Sequence, residues 1–358
     1  MEKFLKNCVL LSFIMLAAIF LITQIRFSDQ FIIQKTKDTA YKKVAWNLNV
    51  INNRPDEIEG SILFFGSSLI QVGISDSLLI ANGYHSFNFG VNHSGNELGL
   101  YFLKRVSSLK PKAIYVLKRK TLRTGNHKLT PLLYRPLELL NDGQSINLYF
   151  FSYLFQRAKF SFDYLFFGIY KDKNNIPVYG KYGQLITEGD MGFSFANRFE
   201  MDKKYDELVS LPKNDFKYSV EKSTNSVFIQ LKIWRRKLFL HFERIFQNGK
   251  SQENFKLSAV AICNTNGINF NSIYVPISGD HRRYSGYERL LFRPAVSDKN
   301  VLLFDNFNFL SNEAYWADAN HLSYDGALKF TEKIIDQFDK EKPNTTNVDN
   351  PNIRTADL

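Results

Sequence analysis

The sequence predicts an α/β protein: a parallel sheet between layers of helices, preceded by one N-terminal transmembrane helix. Two observations carry the sheet. Short apolar runs recur without polar alternation, as parallel strands buried on both faces do. Segments of helical spacing fall between them, which is the rhythm of a doubly wound sheet. A third observation, an unbroken apolar stretch near the start, carries the membrane helix.

In chain order, Lys3 and Lys6 precede the apolar run Cys8–Thr23, and Arg26 follows it. Residues 1–27 read as an uncleaved signal anchor, because Gln24-Ile25-Arg26-Phe27 offers no small-residue cleavage site. The run is short for a full span, but Ile25 and Phe27 extend it and flanking lysines snorkel. Arg26, Lys35 and Lys37 balance the two N-terminal lysines, so charge barely decides orientation. The very short N-terminal tail favours an exported C-terminal domain, periplasmic or extracellular. Residues 28–59 read as a juxtamembrane helix ended near Asn52-Asn53-Arg54-Pro55.

Residues 61–65 are the first strand, His85–Phe89 the second and Ala113–Leu117 the third, with a helix over 95–109 between the last two. The middle of the chain, about 126–250, breaks the rhythm and reads as a mainly helical insertion. Its 145–170 stretch is crowded with Phe and Tyr. It is expected to cap the core, with a membrane-facing or glycan-stacking surface as the alternative. Residues 175–195 suggest a hairpin or irregular loop, and 226–248 a helix stopped by Gly249. A helix over 255–263, strands at 272–276 and 301–304, and a last helix over 325–338 resume the pattern. The polar tail 339–358 reads as disordered. The folded unit is thus 60–338, a three-layer, flavodoxin-like sandwich with an insertion.

Composition excludes several classes. The net charge of +11 comes without any nucleic-acid-binding motif, so no nucleic acid is expected. Basic charge beside an anchor has a simpler use, attraction to anionic lipid or polymer. Of the two cysteines, Cys8 lies in the apolar run and Cys263 stands alone. A disulfide within the folded domain and a cysteine metal cluster are both excluded. His93, His127 and the pair Asp280-His281 read as loop residues, and neither metal nor cofactor is expected.

Ligands of open α/β sheets bind beyond the carboxyl ends of the strands. Three segments fall there. Gly66-Ser67-Ser68 follows the first strand, and Asn88-Phe89-Gly90-Val91-Asn92 follows the second. Asp318-Ala319-Asn320-His321 comes just before the last helix. A carboxylate three residues before a histidine orients an imidazole, and an oriented imidazole activates a hydroxyl. Each residue alone also has a structural use. Ser68 is a natural helix cap, Asp318 a turn cap, His321 a core histidine, and Asp325 a first-turn helix charge.

These segments resemble the blocks of the SGNH/GDSL hydrolase superfamily, over roughly 60–130 and 265–338. Gly66-Ser67-Ser68 is similar to the first block, whose third residue is the nucleophile. Gly90 resembles the second-block glycine, whose N–H lines an oxyanion hole. Asp318-x-x-His321 resembles the final block, which supplies acid and base. The resemblance implies a catalytic triad of Ser68, His321 and Asp318, with Ser68, Gly90 and Asn92 around the oxyanion. It implies ester hydrolysis or acyl transfer on an exported, acylated polysaccharide or cell-wall polymer, and so O-acetylation or its reversal. One departure stands out. The third-block asparagine is missing, because the third strand runs into Lys118-Arg119-Lys120 and the next asparagine is Asn126. A lost oxyanion donor costs about 3 kcal/mol of transition-state stabilisation. A similar loss, and the same anchored layout, mark members resembling the teichoic-acid D-alanine-transfer protein. Alginate O-acetylation proteins share that layout, and both kinds work beside a membrane-bound O-acyltransferase. A non-catalytic scaffold or binding partner of such an enzyme is the alternative reading.

Overall fold

Ile62-Leu63-Phe64-Phe65 is apolar at every position, and a strand of that kind needs cover on both faces. It receives it. As β1 (Ile62–Phe65) it lies inside a five-stranded sheet with β2 (Ser86–Asn88), β3 (Ala113–Leu117), β4 (Asn269–Ile273) and β5 (Val301–Leu302). The order is β2-β1-β3-β4-β5, and every neighbouring pair is parallel. The register sets Leu63 opposite Phe87 on one side and Ile114 on the other. The computed structural model describes residues 2–37, 39–117, 126–168, 248–276, 301–302, 308–310, 312–316 and 321–341.

Alternate residues of the strands feed two cores. Leu63, Phe65 and Ile114 enter one with α2 (Asp29–Thr36), α3 (Lys42–Asn53), α7 (Asn96–Val106) and α11 (Asn248–Thr265). Ile62, Phe64, Ala113 and Tyr115 enter the other with α5 (Ser68–Gly73), α6 (Asp76–Ala81) and α12 (Tyr324–Glu341). On that second face the Phe64 and Tyr115 rings stack at 5.4 Å. Both rings are buried, each contributing about 1.5–3 kcal/mol.

Several elements differ from the sequence expectation. Residues 28–59 form two helices rather than one, followed by the short α4 (Pro55–Ile58). Ser28 caps α2, and Phe31, Ile32, Val44, Trp46 and Leu48 are core residues, so the segment is part of the folded body. The fourth strand begins at Asn269, three residues earlier than expected, because Asn269 and Asn271 pair with Ala113 and Tyr115 of β3 despite their polarity. The helix expected over 255–263 extends over Asn248–Thr265. The fifth strand is described only over Val301–Leu302. Residues 175–195, most of 226–248 and the tail beyond residue 341 lie outside the described residues.

The described start of the insertion is helical: α8 (Thr130–Leu133), α9 (Pro136–Asn141) and α10 (Leu148–Asp163), which runs into a π-helical turn at Tyr164–Gly168. Leu132, Tyr134, Leu139, Phe150 and Tyr153 join the first core. The N-terminal α1 (Glu2–Thr23) is long and apolar enough to cross a membrane, and its apolar window is almost wholly exposed. A signal sequence has the same character. Arg157 of α10 joins α1 to the body. Its guanidinium donates to the carbonyls of Thr23 (3.0 Å), Ile25, Pro131 (2.9 Å) and Leu132 (3.2 Å), and it lies 3.8 Å from the Phe27 ring centroid. Burial lowers its pKa to about 10, so it stays cationic at neutral pH and suits the carbonyl ends of two helices.

Candidate active site

The chain leaves β1 at Gly66, and no side chain fits there. A Cβ would lie 2.5 Å from Ile70 Cγ1 and 2.6 Å from Leu117 Cβ. The absence of a side chain lets the chain turn straight from strand into α5. The two serines that follow divide the work. Ser67 is the N-cap, its Oγ accepting from the Leu69 N–H at 3.4 Å. Ser68 is the first helical residue, and its hydroxyl is left for another partner. That partner is His321: Ser68 Oγ and His321 Nε2 are 2.9 Å apart, both residues half-buried. A hydroxyl donating to an unprotonated Nε2 is the arrangement from which a base removes a proton.

His321 reaches this point through the end of the chain's last described helix. Trp316 and Leu322 form an isolated antiparallel bridge, and the Trp316 indole N–H donates to the Leu310 carbonyl at 3.0 Å. Ser323 then caps α12. Its Oγ accepts from the Gly326 N–H at 3.2 Å and donates to the Ala314 carbonyl at 2.6 Å. α12 packs on α5 through Leu69, Ile70, Ala327, Phe330 and Ile334. The Ser75 N–H donates to Thr331 Oγ1 at 3.0 Å, tying the turn after α5 to the same helix. Asp318 lies outside the described residues, as do Lys118, Arg119, Lys120 and the pair Asp280-His281.

The oxyanion candidates stand differently from one another. The Ser68 N–H has no acceptor among the described residues. The Gly90 N–H is engaged, donating to Asn88 Oδ1 at 3.0 Å. Gly90 matters here for closeness, since a Cβ on it would lie 2.4 Å from the Gln71 backbone nitrogen. Asn92 is buried, its Oδ1 has no hydrogen-bond partner among the described residues, and its carbonyl accepts from His127 Nε2 at 2.9 Å. His127 Nδ1 accepts from the Leu129 N–H at 3.1 Å. This histidine therefore fixes the loop carrying Asn92, with both ring nitrogens in use.

Three further residues shape the site. Asn88 Nδ2 donates to the carbonyls of Ile70 (2.7 Å) and Ile74 (2.8 Å), stapling the end of α5 to the end of β2. Asp76 Oδ2 accepts from the Asn88 N–H at 3.2 Å. Gln71 is fully buried, one turn beyond Ser68, and neither polar atom of its amide has a partner among the described residues. A buried unpartnered amide costs about 1–3 kcal/mol. Only the polarity of Asn88 and Gln71 among apolar neighbours hinted at them in the sequence. No protein-family model, no curated protein and no solved structure matches the chain.

Proposed function

We propose that the chain is a serine-dependent acyl-transfer or ester-hydrolysing enzyme, an SGNH-type esterase or O-acyltransferase acting on an exported polymer. The single observation that carries this is the 2.9 Å contact between Ser68 Oγ and His321 Nε2 at the carboxyl end of β1. The strand order supports it, because β1 lies between β2 and β3, where the sheet reverses its direction of growth and crevices form. It is the order of a three-layer, flavodoxin-like sandwich.

In the proposed reaction Ser68 Oγ attacks an acyl carbonyl while His321 Nε2 takes its proton. Asp318 is assigned to hold the imidazole and to stabilise the imidazolium. The new bond is Oγ–C; the bond that breaks joins the acyl carbon to the donor's oxygen, which leaves with the proton from His321. Water or a sugar hydroxyl then gives a proton to His321 and attacks the acyl-serine, restoring Ser68. The Ser68 N–H and the Asn92 amide are assigned as donors for the oxyanion, and Gly90 joins them only by exchanging its bond to Asn88. The engaged Gly90 amide and the missing third-block asparagine favour a second reading, a scaffold beside a membrane-bound O-acyltransferase in which the pair survives without turnover.

A fluorophosphonate probe separates the two. The enzyme reading expects one covalent adduct per chain by intact mass, and its loss in Ser68→Ala with unfolding unchanged. Labelling that persists in Ser68→Ala, or a wild-type chain that takes up no probe, counts against Ser68 as the nucleophile.

A further inference from the structure

Helix α10 turns two unlike faces outward and inward. Phe150, Tyr153, Arg157 and Ser161 are buried against the body. Phe151, Phe155, Phe162 and Phe166 are 61%, 79%, 41% and 66% exposed. The spacings of four and seven keep Phe151, Phe155 and Phe162 on one side at 3.6 residues per turn, and the Phe166 ring, in the π-helical turn that follows α10, stacks on Phe162 with centroids 6.4 Å apart. Such a row of exposed rings on a water-facing helix is unfavourable unless something apolar covers it.

Position within the fold says what covers it. α1 is exposed along its apolar length up to Leu21 and becomes buried at Thr23. Its 22 residues measure about 33 Å, close to the thickness of a bilayer's hydrocarbon. The end that meets the body is held against α10 itself, by Arg157 on the Thr23 and Ile25 carbonyls. The Phe27, Phe31 and Tyr164 rings pack together beside it, with centroids 4.9–5.2 Å apart. Arg157 and Tyr164, on the same helical run as the exposed rings, thus meet the chain where α1 ends. Gln156, Arg157 and Lys159 forbid α10 from spanning, and exposed Arg26 and Lys159 suit anionic headgroups.

We propose that this face is a second bilayer contact: Phe151, Phe155, Phe162 and Phe166 enter the interfacial layer of the membrane that α1 crosses. The proposal rests on reading α1 as a membrane anchor. It makes the body monotopic as well as tethered, with α10 lying in the headgroup layer and fixing how the sheet's carboxyl edge stands above the lipid.

The test uses the full chain in vesicles of neutral and anionic phosphatidyl lipids, some carrying a nitroxide near the headgroup. An environment-sensitive fluorophore is placed on Phe155→Cys in a Cys8→Ser background, and separately on native Cys8. Cys263 is buried, with its thiol pushed up to about 12 by desolvation, and stays unlabelled. A third label on Asp336→Cys of α12 (in the Cys8→Ser background) reports exposed surface. Lipid nitroxide is expected to remove most of the emission at 155, with aqueous iodide quenching 155 several-fold less than 336. Quenching of Cys8 by lipid with none at 155 overturns the proposal and leaves the anchor standing. Protection of 155 from both lipid and iodide overturns it in favour of a protein partner or second copy. Quenching at 155 without quenching at Cys8 overturns the anchor and with it the proposal, which needs both to meet one bilayer.

Discussion

At the scale of single residues, the division between Ser67 and Ser68 decides which hydroxyl meets the imidazole. Because Ser67 is the helix cap, the neighbouring hydroxyl is available to His321. Gly90 allows the β2 loop to approach the α5 backbone at a distance no side chain permits. Gly90→Ala is expected to destabilise the fold by about 1–3 kcal/mol, read from denaturant unfolding, because the added methyl meets backbone at Gln71. Ser68 and His321 were legible in the sequence because each stands next to a strand or helix boundary that patterning reveals, whereas the close approach of Gly90 to Gln71 was not. Asn88 was not legible as a staple: an asparagine ending a strand looks the same whether it holds two carbonyls or only tolerates a turn.

At the scale of elements, the cap on α12 positions the histidine. Ser323→Ala is expected to cost about 1 kcal/mol of stability and to slow fluorophosphonate labelling, since the turn carrying His321 loses its tie to Ala314 and Gly326. A stability loss with an unchanged labelling rate would show that the cap serves the helix alone. Strands β1 and β3 could be read from sequence because burial on both faces makes them uniformly apolar. β4 was displaced in that reading because its first residues are polar and less buried, so the apolar signal begins only at its end. The single helix expected over 28–59 breaks in two between Thr36 and Lys42, where no glycine or proline marks the interruption.

For the whole molecule, Arg157 joins the N-terminal helix, the insertion and the core. Arg157→Met is expected to lower stability by about 2–4 kcal/mol, because four carbonyls lose a charged donor while the methionine keeps much of the volume. Thermal unfolding measures this, and the still-folded fraction should label at Ser68 as before, because the arginine lies on the far core. The alternation of strands and helices made the α/β class legible. The layering of helices by face was not legible, since it depends on contacts between segments far apart in the chain. Ser68 and His321 themselves are separated by 253 positions. A nascent chain released before its final helix docks would own a hydroxyl with no imidazole to deprotonate it. If the proposed chemistry holds, reactivity would switch on only once synthesis and folding had both finished, sparing esters that the growing polypeptide meets on the way.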